Sequence, residues 1–317
     1  INDNFIAVFN YLQKNTSTNS FVSSWWDYGY PLQALAQREV IFNGGLQNTP
    51  AAYWVGKAFT TSDQDLSRNI FNMLACENDA YLSKIKNVLN YDLQGVQLLE
   101  QILSLNKSQA KVFLGEKLTP SQIDALLELT HCELKRENYV LITNKMLYFD
   151  SIYKFGLWNF SKAEQCLNLK QAGKLKEESC DEFMFSDQLG FSLWQECKNI
   201  TVGVYDCHNI KINYEPSKMQ IKNITIYQNN TINIPHYFKG RINGKFVEKE
   251  FLNYSSDLVV YFFAEGNTTY AFTSSPELKD SILVKLFLFS EQKLVNFQKV
   301  YATPFRYWNK IVVYRLK

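Results

Sequence analysis

An α+β fold is predicted: a helix-rich core over residues 1–180, then a strand-rich region with one late helix over residues 181–317, packing on that core. Three observations carry the prediction. The first part of the chain places apolar residues at helical spacing behind recognisable caps, whereas the later part alternates and is rich in β-branched runs separated by Asn and Gly. Hydrophobic residues make up 46% of the 317, enough for a sizeable core and too many for a disordered chain. Thirty-three Lys and Arg against 31 Asp and Glu leave a formal charge of +2, so no one-signed field draws nucleic acid and no such partner is expected. No apolar run reaches the roughly 18 residues that a membrane span needs. Aromatic content is high, with 23 Phe, 19 Tyr and 6 Trp. The chain opens on Ile1 with neither an initiator Met nor a signal sequence, as a piece of a longer protein would.

Phe5, Val8, Phe9 and Leu12 form one stripe of a helix over residues 2–13, closed by the polar break Asn15–Asn19. Phe21–Trp25 follows as a short strand running into Trp25-Trp26-Asp27-Tyr28-Gly29, which Gly29 and Pro31 punctuate. Glu39–Phe42 is a second strand, ended by Asn43-Gly44-Gly45. Thr49-Pro50 reads as an N-cap with Pro at the first helical position. Ser62-Asp63-Gln64-Asp65 opens the next helix with a near capping box, and Thr119-Pro120-Ser121-Gln122 opens another with a full one. Tyr139–Thr143 reads as a strand and Lys145–Trp158 as a helix. Beyond the polar stretch Lys170–Glu182, strands are expected at Ile200–Val204, Ile210–Tyr214, Ile221–Tyr227, Leu258–Phe263 and Lys310–Leu316, with a helix near Glu277–Phe289.

The Cys residues lie at 76, 132, 166, 180, 197 and 207, with no C-x-x-C pair and only His131, His208 and His236 beside them, so no zinc site is expected. The close series from Cys166 to Cys207 reads as one or two disulfides of open connectivity, against the alternative of buried thiols. Asn-x-Ser/Thr sequons begin at Asn15, Asn106, Asn159, Asn199, Asn223, Asn229, Asn253 and Asn267. Both features favour an extracytoplasmic compartment.

Phosphate-loop, dinucleotide, zinc-protease and nucleophile-elbow signatures are absent. Asp63-Gln64-Asp65 matches the D-x-D that holds a divalent metal in many glycosyltransferases, but acidic residues in a first helical turn complement the helix dipole, and that structural reading is preferred. Trp25-Trp26-Asp27 is different. An indole N–H only donates and a carboxylate only accepts, so burying them without partners is costly. A small hydroxyl satisfies both, donating to Asp27 and accepting from the indoles, and such a pocket rejects analogues that lack it. The competing reading is a packed aromatic turn.

WWDYG is also the signature of the catalytic subunit of oligosaccharyltransferase, the membrane enzyme of asparagine-linked protein glycosylation. The chain resembles the C-terminal globular domain of its prokaryotic form. The likeness takes in the layout from Phe5 to Ser24, the segment Glu39–Gly45 with the helices after it, and the end of the chain: a helix at Leu283–Phe289, then Asn296–Tyr301 and the strand Lys310–Leu316. Residues 166–236 match nothing in that layout. By this resemblance Trp25, Trp26 and Asp27 bind the Ser/Thr hydroxyl two residues after the acceptor Asn, while Tyr28 and Gly29 shape the turn. A second motif of the family resembles Met146, Phe149 and Tyr153, which on one helix would share a face and could touch the Thr methyl; core packing is the alternative. Asp150 and Lys154 read as an i,i+4 ion pair.

The resemblance implies transfer of an oligosaccharide from a polyprenyl (pyro)phosphate carrier to Asn of an acceptor polypeptide, at the extracytoplasmic face of the cell membrane. It implies Mn²⁺ or Mg²⁺ held by acidic residues in the protein's own transmembrane region. No catalytic or metal-binding residue is then expected in this chain, and the isolated chain should be inactive. Two other classes compete. A secreted carbohydrate-binding or adhesive module would use the aromatics to stack on sugars. A glycoside hydrolase needs two carboxylates about 5–9.5 Å apart, and no pattern nominates such a pair.

Overall fold

Residues 2–76, 81–89, 93–172, 190–192, 195–228, 230–265, 268–290, 294–303 and 310–317 are described by a computed structural model of the chain. The expected division at residues 180 and 181 falls outside them, as do the Lys170–Glu182 stretch beyond Ala172, Cys180, Asn229 and Asn267. Two compact units are present. One comprises Ile1–Asp187 with Asp280–Lys317, and the other Gln188–Lys279. Residues 280–317, expected with the strand-rich region, thus belong to the first unit, because their strands complete its sheet.

In chain order the strands are β1 (Phe21–Ser23), β2 (Glu39–Val40), β3 (Asn138–Thr143), β4 (Gln195–Glu196), β5 (Lys198–Thr201), β6 (Val204–Cys207), β7 (Ile210–Glu215) and β8 (Gln220–Gln228). They continue as β9 (Thr231–Asn233), β10 (Pro235–Ile242), β11 (Lys245–Glu250), β12 (Ser256–Glu265), β13 (Thr268–Ser274), β14 (Phe297–Ala302) and β15 (Ile311–Leu316).

The first unit is built on the sheet β14-β15-β3-β1-β2. All six residues of β3 are buried, the uninterrupted pattern of a strand covered on both faces. β1 runs parallel to both β2 and β3, while β15 pairs antiparallel with β3. The carboxyl ends of β1 and β3 therefore open at the same edge of the sheet.

Helices surround this sheet, and their starts follow the sequence. Thr49 caps Pro50–Thr60 by accepting from the Ala51 N–H, and Thr119 with Gln122 forms the complete box of Pro120–Thr130. Asp63, rather than the expected Ser62, caps Gln64–Cys76, its Oδ1 accepting from the N–H groups of Asp65 (2.9 Å) and Leu66 (3.2 Å). Asp65 Oδ1 faces Arg68 and Asn296, so the D-x-D triplet is structural. Where Pro50–Thr60 crosses Asp150–Gly156, Gly56 and Gly156 meet backbone to backbone, and a Cβ on either would overlap the other strand of chain. Arg38 closes two helix ends at once. Its buried guanidinium donates to the carbonyls of Leu12, Gln13 and Thr16 at the end of Asp3–Asn15, and to those of Ala36 and Gln37.

The second unit stacks two sheets, β11-β10-β12-β13-β4 and β5-β6-β7-β8-β9, around a shared apolar core. Alternation supplies it: Ile210, Ile212 and Tyr214 of β7 and Ile221, Ile224 and Ile226 of β8 face Phe238, Val260 and Phe262 of the other sheet. The expected strand Ile200–Val204 is instead the β5–β6 hairpin. Gly203 turns it at φ +80°, a conformation open to glycine alone here because a Cβ would strike the Tyr214 carbonyl. The expected helix Glu277–Phe289 is a turn at Pro276–Leu278 followed by Ile282–Phe287.

Disulfides join Cys76 to Cys132 in the first unit and Cys197 to Cys207 in the second, and Cys166 is disulfide-bonded as well. No described cysteine is free. The Cys76–Cys132 pair lies outside the series from which disulfides were expected.

Candidate functional site: the turn beyond strands β1 and β3

β1 ends at Ser23, two residues short of the predicted strand, and the chain then coils. Trp26–Tyr28 is a 3₁₀ turn that passes through Gly29–Pro31 into a π-helical stretch, Leu32–Ala36, ended by Gln37 at φ 52°. Gly29 and Pro31 do not break the chain here, as the sequence suggested; both are accommodated in a continuous helical run. Tight and π-type turns of this kind recur at functional sites.

The five motif residues divide between core and surface. The Trp25 ring is fully buried, edge-on to Phe42 (5.2 Å between centroids) and 6.3 Å from Phe155. Its indole N–H is buried too and has no acceptor among the described residues. Trp26 is half-buried and Asp27 is exposed. Desolvation raises the Asp27 pKa, against the pull of its backbone hydrogen bond and the Lys145 charge. Tyr28 is buried between Phe5, stacked at 5.4 Å, and Phe149 at 6.4 Å. Its hydroxyl shares a 2.8 Å hydrogen bond with Thr143 Oγ1, and burial pushes its pKa up to about 12.

Gly29 is required by proximity: a Cβ there would lie 2.5 Å from Asn43 Cβ and 2.6 Å from the Phe42 carbonyl. Asn43 in turn holds a local loop by accepting from the Gly45 N–H at 2.9 Å. The Phe42-Asn43-Gly44-Gly45 segment is thus the floor of the WWDYG turn. Phe42 packs on Trp25 and Asn43 fits against Gly29.

The second motif also begins where a strand ends, at Thr143 of β3. A continuous helix over Lys145–Trp158 is not formed. Asn144–Tyr148 is a 3₁₀ turn, Phe149 is extended (φ −86°, ψ 91°), and Asp150–Gly156 starts a separate helix. The physical reason is hydrogen bonding. The Tyr153 hydroxyl donates to the carbonyls of Leu147 (2.8 Å) and Met146 (3.2 Å), fixing the turn open where a helix would have closed it. Met146 and Tyr153 are fully buried, so they do not form an exposed face with Phe149. Phe149 alone of the three stays half-buried.

The fold nevertheless joins the two motifs. Ser24 Oγ donates to the Leu141 carbonyl (2.9 Å) and lies 3.8 Å from Met146 Sδ, Tyr28 meets Thr143 and Phe149, and Trp25 meets Phe155. Ser24, Thr143, Lys145 and Phe155 escaped sequence reasoning. The available signal was position: each flanks the end of a strand or an identified motif. Among the described residues no group of three or more His, Cys, Asp and Glu comes together to hold a metal ion. No described helix is long and apolar enough to cross a membrane.

The family model described as the STT3/PglB/AglB core domain matches residues 18–162, the stretch that holds both motifs. The dolichyl-phosphooligosaccharide-protein glycotransferase of Methanocaldococcus jannaschii is 36% identical over 158 residues, covering 48% of this chain and 17% of that protein. Its counterpart in Methanococcus voltae is 35% identical over 171 residues, covering 50% of this chain and 18% of that one. The matches therefore span less than a fifth of these relatives' length. The crystal structure of the C. jejuni PglB C-terminal domain matches over 99% of both chains with a TM-score of 0.55 at 12% identity, a likeness of fold. Residues 18–162, just under half of the chain, thus match the STT3/PglB/AglB core domain, and the chain as a whole shares the fold of the PglB C-terminal domain.

Proposed function

We propose that the chain is the acceptor-reading part of a membrane oligosaccharyltransferase that moves a polyprenyl (pyro)phosphate-linked oligosaccharide onto Asn of an Asn-x-Ser/Thr polypeptide. Trp26 and Asp27 receive the Ser/Thr hydroxyl, which donates to the Asp27 carboxylate and accepts from an indole N–H. Phe149 offers the apolar contact for the Thr methyl. Tyr28 and Gly29 hold the turn, and Met146 and Tyr153 hold the segment that presents Phe149.

The observation that carries this reading is an unmet demand in the turn: Asp27 holds its carboxylate at the surface beside the half-buried Trp26, and no described side chain hydrogen-bonds it. A carboxylate only accepts, so a hydroxyl that can donate to it is the complementary partner. Ligands of open α/β sheets also bind beyond strand carboxyl ends, where both motifs lie.

The divalent ion of this reading, Mn²⁺ or Mg²⁺, finds no ligand set among the described residues. Its ligands belong to the protein's own transmembrane region, with the globular domain on the extracytoplasmic face.

Peptide binding to the purified chain, followed by tryptophan fluorescence, tests the assignment. An Asn-x-Thr peptide should bind about tenfold or more tighter than its 2-aminobutyrate analogue, which lacks only the hydroxyl. Equal affinities would remove the hydroxyl pocket.

A further inference from the structure

Eight sequons are present, and the fold treats their asparagines differently. Asn106 and Asn159 cap helices, each Oδ1 accepting a backbone N–H at 3.0 Å, from Gln109 and Lys162. Asn15 donates its amide to the Tyr11 carbonyl at 2.9 Å, and Asn223 is hydrogen-bonded to Asn213. Asn253 is exposed, but the Ser255 hydroxyl of its sequon is engaged by the Ile234 N–H at 2.9 Å. Asn199 differs from all of these. Asn199, Ile200 and Thr201 are exposed throughout, on β5, the outermost strand of its sheet. Among the described residues nothing hydrogen-bonds the Asn199 amide or the Thr201 hydroxyl side chain.

We propose that Asn199 is an N-glycosylation site of this protein. The Asn199 amide nitrogen bonds to the anomeric carbon of an oligosaccharide. The bond from that carbon to the oxygen of a polyprenyl phosphate or pyrophosphate carrier breaks, the carrier leaves with the electron pair, and the amide proton passes to solvent. Two further observations support the site. Cys197–Cys207, adjoining β5, marks an oxidising compartment of the kind in which such carriers are used. Beside Asn199, Ile200 is 59% and Val202 85% exposed along an open sheet edge, an invitation to pairing with other chains. A glycan at Asn199 covers that edge.

Mass spectrometry of the native protein, reduced, alkylated and cut with trypsin, tests the proposal. Residues 199–211 and 155–162 each form a tryptic peptide with one sequon, at Asn199 and Asn159. The first should carry most of its signal at a glycan-shifted mass, the second at its unmodified mass, and Asn199→Gln should remove one glycan mass from the intact protein. An unmodified 199–211 peptide would overturn the proposal. Equal modification of Asn159 would overturn the selection by hydrogen bonding on which it rests.

Discussion

Trp25 packs its ring on Phe42 and Phe155 while Asp27, two residues on, keeps its carboxylate at the surface, because a 3₁₀ turn separates their directions. Substitution at Asp27 should therefore divide function from fold. In the full-length enzyme Asp27→Ala should abolish transfer to Asn-x-Thr peptides with an unchanged circular dichroism spectrum; turnover like the parent's would end the proposed role. The pH dependence has a definite sign. Desolvation raises the folded pKa above 3.8, so the ionised form disfavours the fold. Any contribution to stability is complete below the unfolded pKa and is lost as pH rises through the folded one. Asp27→Asn should then match or exceed the parent's Tm at pH 7, and lose that advantage as pH falls towards 3.8. Tyr28→Phe removes the 2.8 Å bond to Thr143 and leaves a buried hydroxyl unpaired, which should cost about 1–3 kcal/mol in urea unfolding.

Two of the elements that depart from the sequence expectation do so for physical reasons. Met146, Phe149 and Tyr153 have helical spacing, but the Tyr153 hydroxyl, donating to the Leu147 carbonyl six residues back, opens the segment at Phe149, and periodicity is blind to that competition. Ile200–Val204 is uniformly β-branched around a single Gly203, and only the pairing partner reveals the hairpin. The caps at Thr49 and Thr119 were legible because their hydrogen bonds are local. The WWDYG segment stood out by its donors and acceptors, but the helical run that it enters, through Gly29 and Pro31, did not. Its support by Phe42 and Asn43, and the Gly56–Gly156 crossing, were not legible, since both depend on tertiary approach. Experiments follow at this level. Met146→Ala should lower stability by about 2–5 kcal/mol as a cavity mutation, whereas Phe149→Ala should chiefly reduce the preference for Thr over Ser in competition assays. A preserved Thr/Ser ratio in the Phe149 variant would return that ring to packing alone.

For the molecule as a whole, the disulfides are part of the construction. Cys76–Cys132 links residues 56 apart, and a loop of that length is worth about 4 kcal/mol on the chain-entropy account. Cys132→Ser should produce a loss of that order in unfolding measurements. Without the rest of the enzyme, the purified chain should bind acceptor peptide yet give no transfer when supplied with lipid-linked oligosaccharide and Mn²⁺. Detectable turnover would place catalytic residues inside it.

The position of β15 between β14 and β3 has a consequence for how the chain is made. A polypeptide emerging amino end first can lay β1 against β3, the two strands from which both motifs spring, long before residues 311–316 exist. Until then the far side of β3 carries unanswered peptide groups and a buried-type sequence in contact with water, while the whole of Gln188–Lys279 is still being added. The WWDYG turn is thus drafted early and secured late, and the nascent chain must keep that one edge from finding a partner on a neighbouring ribosome's product.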